Sequence, residues 1–333
     1  MKIGNTELRH GVALAPMAGY TDRAMRLVCH GAGAEYTVTE MVSAKAVVYN
    51  DRKTLTLSRI REDEGSVAIQ IFGSEPDVMA EAARRLSSPE EGASPVAIDI
   101  NMGCPVKKIF SNGEGSALMR DPKLIEKIVS AVADATHLPV TVKLRAGINE
   151  QSLNAVECAI AAESGGASAI CIHGRTTSQM YGGSCNRKII ENVKRSLQIP
   201  LFANGDITNG DEAISMLRDT EADGIMIGRG AVGNPFIFAE ILSRLDGIPY
   251  EIPGVRERIN TSLYQLKVAI EDKGERSAVP EARKQIALYL KAFHGAARIR
   301  SRINMATTYG EVEEALLQAA DEAEAERDQN IIL

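Results

Sequence analysis

The sequence has no long hydrophobic run. No stretch of its 333 residues approaches the roughly 18 consecutive apolar residues that a membrane-spanning helix requires. Residues 1–14 mix charged residues, glycine and short apolar groups, without the apolar segment of a secretory signal. We therefore expect a cytoplasmic protein without a membrane partner.

Cysteines are few and isolated. The sequence contains Cys29, Cys104, Cys158, Cys171 and Cys185. An odd number without any C-x-x-C pair argues against a disulfide framework and against a zinc site, so we expect no metal. Cys29, Cys158 and Cys171 lie in apolar stretches and are expected to be small buried hydrophobic residues. Cys104 differs, because it ends an apolar run and is followed by lysines and glycines.

An excess of positive charge is also lacking. The net charge is −6, from 38 basic and 44 acidic residues, which argues weakly against nucleic-acid binding. The distribution is uneven, however. Residues 281–305 contain six basic residues and one acidic residue, a net charge of +5, whereas residues 311–328 contain eight acidic residues and one basic residue. Taken alone, this alternation is typical of a solvated helical surface.

Eight short β-rich segments recur along the chain, each followed by a stretch of helical composition. They cover residues 12–17, 35–41, 67–73, 97–103, 140–146, 169–175, 200–206 and 224–230. Alternating strands and helices indicate a parallel sheet, and nearly continuous apolar strands indicate burial on both faces. Eight such units predict an α/β fold of the (β/α)₈ TIM-barrel type, with an open doubly wound sheet as the alternative.

The last quarter of the chain has a different pattern. Strand signals end near Pro249 and Pro253, and residues 255–330 show apolar residues at the three- and four-residue spacing of helices. We therefore predict a barrel domain of residues 1–247, followed by a small all-helical domain of residues 248–333.

Polar residues cluster where the predicted strands end. They are Gln70, Asn101 with Cys104, Lys143 with Arg145, His173 with Arg175, Asn204-Gly205-Asp206 and Gly228-Arg229-Gly230. Active sites of TIM barrels lie at the carboxyl ends of the strands, so these residues are expected to share one site.

Two of these motifs favour a phosphate. The sequences NGD at 204–206 and GRG at 228–230 follow the last two predicted strands, and helical sequence follows each. Backbone N–H groups and helix amino termini in these positions of a barrel bind phosphate, and Arg229 can add a charged hydrogen bond. Lys143 is compatible with two chemistries, either a Schiff base or the stabilisation of negative charge on a bound ring.

Several longer motifs resemble one family, the tRNA-dihydrouridine synthases. In order they are LAPMAGYTD (14–22), TEM (39–41), QIFG (70–73), DINMGCPVKK (99–108), KLRAG (143–147), HGRT (173–176), NGDI (204–207) and MIGRGAVGNPFIF (226–238). The segment ARKQIALYLKAFHGAARIRSRIN (282–304) is similar to the helical domain of the bacterial B-type members. One loop departs from the family, because Ser184, Cys185 and Asn186 follow QMYGG where an acidic or aromatic residue is usual.

The resemblance implies an FMN-containing barrel, a helical tRNA-binding domain, and NADPH or NADH as the reductant. The FMN contacts that it implies are Pro16, Met17, Ala18, Gln70, Lys143, Asn204, Gly205, Asp206, Gly228 and Arg229. His173 is expected to contact either the flavin or the substrate.

The implied reaction explains Cys104. When hydride adds to carbon 6 of uracil, carbon 5 must be protonated. A thiol with an ordinary pKa of about 8.5 keeps its proton at neutral pH and can donate it to such a centre. We therefore expect Cys104 to be the general acid.

A uridine in folded tRNA must leave its stack to reach a barrel mouth, and the protein must hold the surrounding backbone. The expected phosphate contacts are Lys107, Lys108, Arg283, Lys284, Arg298, Arg300 and Arg302. Asn101 and Arg145 are the candidates for the uracil edge. No obligate protein partner is expected.

Three other functions were compatible with parts of the sequence. A small-molecule FMN oxidoreductase of the dihydroorotate dehydrogenase type needs the same flavin residues but no basic helical domain. An aldolase or isomerase would use Lys143 as a Schiff-base amine. An RNA-binding protein would use the barrel only as a scaffold.

Overall fold

The computed structural model describes residues 1–89, 91–290 and 295–331. The described residues form eleven strands. They are β1 (Lys2–Ile3), β2 (Thr6–Glu7), β3 (Val12–Leu14), β4 (Tyr36–Val38), β5 (Val42–Ser43), β6 (Val67–Phe72), β7 (Ala97–Asn101), β8 (Val140–Arg145), β9 (Ala169–His173), β10 (Leu201–Asn204) and β11 (Gly224–Ile227).

Eight of these strands close into a parallel barrel. The order is β3, β4, β6, β7, β8, β9, β10 and β11, and β11 pairs with β3 to complete the circle. β5 is a short addition beside β6, and β1 and β2 form a separate hairpin. Each barrel strand lies within one of the eight predicted segments. The predicted TIM barrel is therefore confirmed, and the open sheet was the wrong alternative.

Helices connect the strands and continue beyond them. They are α1 (Arg23–Gly31), α2 (Ala44–Val48), α3 (Arg52–Leu57), α4 (Pro76–Leu86), α5 (Lys107–Ser111), α6 (Pro122–Ala135), α7 (Ala155–Ser164), α8 (Arg187–Ser196), α9 (Gly210–Thr220), α10 (Ile237–Asp246), α11 (Val255–Lys273), α12 (Glu275–Tyr289), α13 (Ala296–Met305) and α14 (Tyr309–Ile331). Several begin at capping side chains; Asp121, for example, accepts the backbone N–H of Leu124 and precedes Pro122.

Alternation along the strands separates the core from the site. On β7, Ile98 and Ile100 pack in the main core between barrel and helices, whereas Ala97 belongs to the cluster that fills the barrel interior. Because side chains alternate between the two faces of a strand, Asp99 and Asn101 also face inward. The interior is therefore apolar at its base and polar at its carboxyl end.

The helices after the barrel have a core of their own. It includes Ile259, Leu266, Ile303 and Leu316, which come from α11, α13 and α14. A smaller apolar cluster joins α11 to α1 of the barrel. The carboxyl-terminal helical region is thus present as predicted, and a domain boundary between residues 247 and 248 stays a prediction.

Two further expectations concern burial and membranes. Cys29, Cys158 and Cys171 are buried, as their apolar surroundings predicted. Across the described ranges, no helix combines the length and the apolar character needed to cross a membrane.

Candidate active site

Strand pairing brings the predicted polar residues together in successive rows. Gln70 pairs with Asp99, and Asp99 pairs with Thr141. One level nearer the mouth, Asn101 pairs with Lys143. Arg145 and His173 form the next level, and His173 also pairs with Asn204. Residues distant in sequence thus meet at the carboxyl ends of neighbouring strands, where the sequence analysis expected a site.

Lys143 is held at the centre of this arrangement. Its Nζ donates a hydrogen bond of 3.0 Å to Asn204 Oδ1, and Asn204 Nδ2 donates to the carbonyl of Met226 at 2.6 Å. Burial lowers the pKa of Lys143, because the charged ammonium loses solvation. An ammonium has three donors, and one is used by Asn204 among the contacts of the described residues. The remaining donors suit an electron-rich ligand in the mouth.

A second set of hydrogen bonds surrounds Asp99, a residue that the local sequence pattern does not single out. Its carboxylate accepts from Gln70 Nε2 and from Thr141 Oγ1, both at 2.6 Å. Gln70 Oε1 in turn accepts from Asn101 Nδ2 at 2.8 Å. Burial raises the pKa of Asp99 to about 6, against the opposing effects of these two donors and of Lys143.

Hydrogen bonds fix the Cys104 loop through both the backbone N–H and the backbone carbonyl of Cys104. Asn101 Oδ1 accepts the backbone N–H of Cys104 at 2.9 Å, and the carbonyl of Cys104 accepts from Ser116 Oγ at 2.8 Å. Gly115 has a φ of +61°, and a Cβ there would approach Cys104 Cβ to 3.0 Å. The thiol is half-buried, and burial raises its pKa. The thiol is therefore protonated at neutral pH.

Arg145 and Arg175 clamp the loop after β9, an arrangement that the sequence did not predict. Arg145 donates to the carbonyl of Met180 at 2.9 Å, and Arg175 donates to the carbonyls of Gly182 and Gly183 at 2.9 and 2.6 Å. Both arginines are 3% exposed. The residue between these anchors, Tyr181, is 54% exposed at the mouth. Burial lowers the pKa of Arg145 to about 10.

His173 is surrounded by cations. Burial, together with the charges of Lys143, Arg145, Arg175 and Arg229, lowers its pKa to about 2. The imidazole is therefore neutral throughout the physiological range. A neutral ring offers one donor and one acceptor to a ligand in the mouth.

The first glycine motif contacts the atypical loop. Asp206 has a φ of +52°, forms a 2.7 Å ion pair with Arg175, and accepts the backbone N–H of Cys185 at 2.8 Å. A Cβ on Gly205 would lie 2.8 Å from Cys185 Sγ. Burial favours a higher pKa for Asp206, but Arg175 and the Cys185 N–H outweigh it and the pKa is lowered. The cysteine of this loop therefore packs directly on the NGD motif.

The second glycine motif lies beside the loop that follows β3. A Cβ on Gly228 would have Met17 Sδ as its nearest contact, at 3.7 Å. Met17 N donates to Thr21 Oγ1 at 2.9 Å, which shapes the Pro16-Met17-Ala18 segment. Arg229 is exposed, and its guanidinium carbon lies 4.9 Å from the centre of the Tyr181 ring. The space around Gly228 fits a ligand that approaches the backbone closely.

Basic residues at the mouth and in the helical region have different surroundings. Lys107 and Lys108 are exposed on α5, directly after the Cys104 loop. Lys284 Nζ lies 4.4 Å from the centre of the Tyr20 ring, which places α12 beside the barrel mouth. Arg283 is half-buried and donates to the carbonyl of Ala306.

The remaining predicted phosphate contacts lie on α13. Arg298 forms an ion pair with Glu322 of α14, and Arg302 pairs with Glu314 at 3.4 Å. Arg300 is exposed and has no ion pair with any residue that the structure describes. Lys291, which contributes to the charge of this stretch, lies outside the described residues. The structure therefore partly neutralises the +5 stretch through the acidic helix that follows it.

The described residues fit a flavin on two observations. Lys143 is a half-buried ammonium with donors left for the electron-rich edge of a ring. A Cβ at Gly228 would meet only Met17 Sδ and Ala15 Cβ within 4 Å, at 3.7 and 3.9 Å, at the end of a strand where phosphate groups bind in barrels. Within the described parts of the chain, no group of three or more histidine, cysteine or acidic side chains could hold a metal ion.

Comparison with solved structures agrees with the fold. Histamine dehydrogenase from Rhizobium sp. 4-9 superposes on 80% of this chain with a TM-score of 0.54 and 13% sequence identity. The matched part is 50% of that longer chain. This similarity shows the fold alone.

Similarity in sequence goes further. A probable tRNA-dihydrouridine synthase of Rickettsia conorii is 40% identical over 307 residues, which is 92% of each chain. The tRNA-dihydrouridine synthase B of Pseudomonas putida is 40% identical over 91% of this chain and 89% of its own. The family described as "Dihydrouridine synthase (Dus)" matches residues 13–325. The chain belongs to the dihydrouridine synthase family.

Family membership confirms the resemblance found in the motifs, including that to the B-type members. A further relative, the tRNA-dihydrouridine synthase B of Pasteurella multocida, is 39% identical over 92% of both chains. The chain is a flavin-dependent oxidoreductase that acts on uridine in tRNA. The small-molecule oxidoreductase, the aldolase and the non-catalytic scaffold are not favoured.

Proposed function

We propose that the chain reduces the 5,6 double bond of tRNA uridines with FMN as its flavin, NADPH or NADH as the reductant, and Cys104 as the general acid. The observation that carries this proposal is the half-buried Cys104 thiol on a loop tied to Asn101, which pairs with the half-buried Lys143 across β7 and β8. A proton donor and a cationic site for an electron-rich ring thus share one mouth.

The residues that would hold FMN come from the ends of several barrel strands and from the loops that follow them. They are Pro16, Met17, Ala18, Gln70, Lys143, His173, Asn204, Gly205, Asp206, Gly228 and Arg229. Lys143 would donate to the polar edge of the ring, where its charge stabilises an anionic form. The backbone at Gly205 and Gly228 and the Arg229 guanidinium would hold the phosphate.

When bound, the reduced flavin supplies the hydride for carbon 6 of uracil. Asn101 and Arg145 would hold the uracil edge. The Cys104 thiol would donate its proton to carbon 5, since its raised pKa keeps it protonated until a stronger base develops beside it. Tyr181, exposed between its two anchors, would exclude water from the open side of the base.

The tRNA backbone would be held outside the mouth. Lys107 and Lys108 are exposed next to Cys104, and Lys284 of α12 lies over the ring of Tyr20 in the loop that follows β3. Arg283, Arg298, Arg300 and Arg302 would extend this contact along the helical domain, for which we propose residues 248–333. A cytoplasmic location is consistent with this substrate.

Replacing Cys104 by alanine tests the proposal. We expect a folded flavoprotein that NADPH reduces at a normal rate, whereas formation of dihydrouridine falls by about 10² to 10⁴, the usual effect of losing a positioned acid. Serine should restore little, since a hydroxyl is a far weaker acid. The measurement is single-turnover oxidation of pre-reduced enzyme by unmodified tRNA.

Cys185→Ala is the matched control, because Cys185 is the other half-buried cysteine. This variant should reoxidise at close to the wild-type rate. If Cys104→Ala also reoxidises at the wild-type rate, Cys104 has no catalytic role and the proposal is wrong.

A further inference from the structure

The proposed reaction leaves one ionisable group of the mouth without a role. Asp99 is 3% exposed and lies inside the barrel on β7, one row below Asn101. An isolated buried carboxylate is unfavourable unless hydrogen bonds compensate for its lost solvation. Both oxygens of Asp99 are compensated, one by Thr141 and one by Gln70.

These hydrogen bonds continue in one direction toward the catalytic loop. An ionised carboxylate only accepts, so the amide nitrogen of Gln70 must face Asp99. The amide oxygen of Gln70 then faces Asn101 and accepts from its nitrogen. The oxygen of Asn101 is left to accept the N–H groups of Gly103 and Cys104, at 3.2 and 2.9 Å.

We propose that Asp99 is a positioning residue that holds Cys104 in place through this sequence of hydrogen bonds, which we call the amide relay (Asp99, Gln70, Asn101). Because the carboxylate of Asp99 only accepts hydrogen bonds, it fixes the orientation of both amides. The oxygen of the second amide therefore faces the backbone N–H of Cys104. The inference rests on the proposed function only in making Cys104 the proton donor.

Removing the acceptor at residue 99 would reverse the relay. Gln70 could then turn its amide by 180° and present nitrogen to Asn101. Asn101 would have to turn as well, and its nitrogen would face the N–H of Cys104, donor against donor. A buried donor without an acceptor is unfavourable, so the loop would move away from Asn101.

The other side of the loop is independent of the relay. The Cys104 carbonyl is held by Ser116, which has no contact with Asp99 or Gln70 in the described hydrogen bonds. Arg145 Nε also donates to the carbonyl of Gly103 at 2.8 Å, in the same peptide as the Cys104 N–H. Loss of the relay should therefore free the Cys104 N–H, while the carbonyls of Gly103 and Cys104 stay attached. The predicted defect is a displaced thiol within a folded barrel.

Three variants in a Cys185→Ser background test the inference. Asp99→Leu removes the acceptor and admits no water in its place. Asp99→Asn retains an oxygen for Gln70, while its amide nitrogen can donate to the Thr141 hydroxyl. Thr141→Val is the matched control, since it removes a buried hydrogen bond from the same carboxylate but leaves Gln70 in its native orientation.

Two measurements are made on each purified flavoprotein. The first is the rate at which iodoacetamide alkylates Cys104, with the modified residue identified by peptide mass. The second is the rate of single-turnover reoxidation by tRNA. The rate of flavin reduction and the affinity for tRNA serve as references. For Asp99→Leu, we expect alkylation to rise about fivefold, as for one lost hydrogen bond. Reoxidation should fall about tenfold to a hundredfold, as for a misplaced reacting group. The reference rates and the affinity should be retained.

Asp99→Asn and Thr141→Val should both stay close to the wild type in alkylation and reoxidation. The inference is overturned if Asp99→Leu matches Thr141→Val, or if Asp99→Asn is as defective as Asp99→Leu, because charge rather than acceptor geometry would then be the requirement. If Asp99→Leu does not fold, Asp99→Val removes the same acceptor with a smaller apolar side chain. Alkylation reports the position of Cys104 whether or not its thiol is the general acid. Failure of the inference about Asp99 can therefore be distinguished from failure of the proposed function.

Discussion

The barrel mouth and the basic stretch of α13 both contain clusters of cationic side chains, but the two clusters have different surroundings. At the mouth, Arg145 is buried and Lys143 is half-buried, and they donate to backbone carbonyls and to an amide oxygen, respectively. On α13, Arg298 and Arg302 remain in contact with water and pair with carboxylates of α14. The cationic side chains at the mouth are thus held by neutral amide and carbonyl oxygens, whereas those on α13 are held by carboxylates.

This difference fits the two tasks that we propose for the molecule. Burial without a neutralising carboxylate changes pKa values, as for Lys143 and His173, and leaves positive charge available to an anionic ligand. Exposed ion pairs contribute little to stability and exchange readily with a competing anion such as phosphate. Under the proposed function, chemistry would belong to the cluster at the mouth, and salt-sensitive association with tRNA would belong to the exposed one.

Replacing Lys143 by alanine should produce the largest effect that separates the two regions. We expect FMN affinity to fall about tenfold to a hundredfold, because a charged hydrogen bond in a buried site is lost. Flavin reduction should also slow. The measurements are the FMN dissociation constant and stopped-flow reduction by NADPH.

Lys107→Ala is the control for this change, since it removes an exposed lysine near the same mouth. It should leave flavin affinity unaltered. Equal flavin affinity and reduction rates in Lys143→Ala and wild type would contradict the assignment of Lys143.

The buried cations should also make stability depend on pH through His173. The folded pKa of about 2 lies below the ordinary value of 6.5, so below pH 6.5 the unfolded chain takes up a proton that the folded chain does not. This contribution to stability is present above pH 6.5 and is lost as pH falls. His173→Gln should remove it, so that the difference in unfolding free energy between wild type and variant changes by about 1 kcal/mol from pH 7.5 to 5.5.

Urea unfolding of both proteins at the two pH values measures this difference. His10→Gln serves as a comparison at a histidine outside the mouth. A difference between wild type and His173→Gln that does not change with pH would show that His173 titrates normally in the folded state.

The smallest expected effect distinguishes two arginines of the exposed cluster. Each phosphate contact contributes about one unit to the dependence of log affinity on log salt. Arg300→Ala should lower this slope by about one unit, whereas Arg298→Ala should lower it less, because Glu322 already pairs with Arg298. The measurement is tRNA affinity between low and physiological salt.

The pair Arg298→Ala and Arg300→Ala should together lower both affinity and slope. Wild-type values for both quantities in the double variant would mean that this part of the basic stretch is only a solvated surface.

Much of the site could be predicted from local sequence, for a definite reason. In a parallel barrel all strands end at one mouth, so residues such as Gln70 and Asn204 are brought together by topology once the strands are recognised. The motif around Cys104 could be interpreted in the same way. No comparable topological rule exists for α13. Its charge composition indicated a basic surface, but it did not indicate which carboxylates of α14 form ion pairs with its arginines.

By itself, the sequence determined the number and order of the barrel strands, the location of the mouth, and the residue types available there, because strand and helix composition are local properties. Only the tertiary structure decided which polar groups pair with which. Asp99 reads in sequence as one more residue of a buried strand, and its place at the start of the amide relay depends on the register of β6, β7 and β8. The clamp on the Tyr181 loop likewise depends on β8 and β9 lying side by side. Hydrogen-bond direction and burial arise from these long-range pairings, which no local pattern encodes.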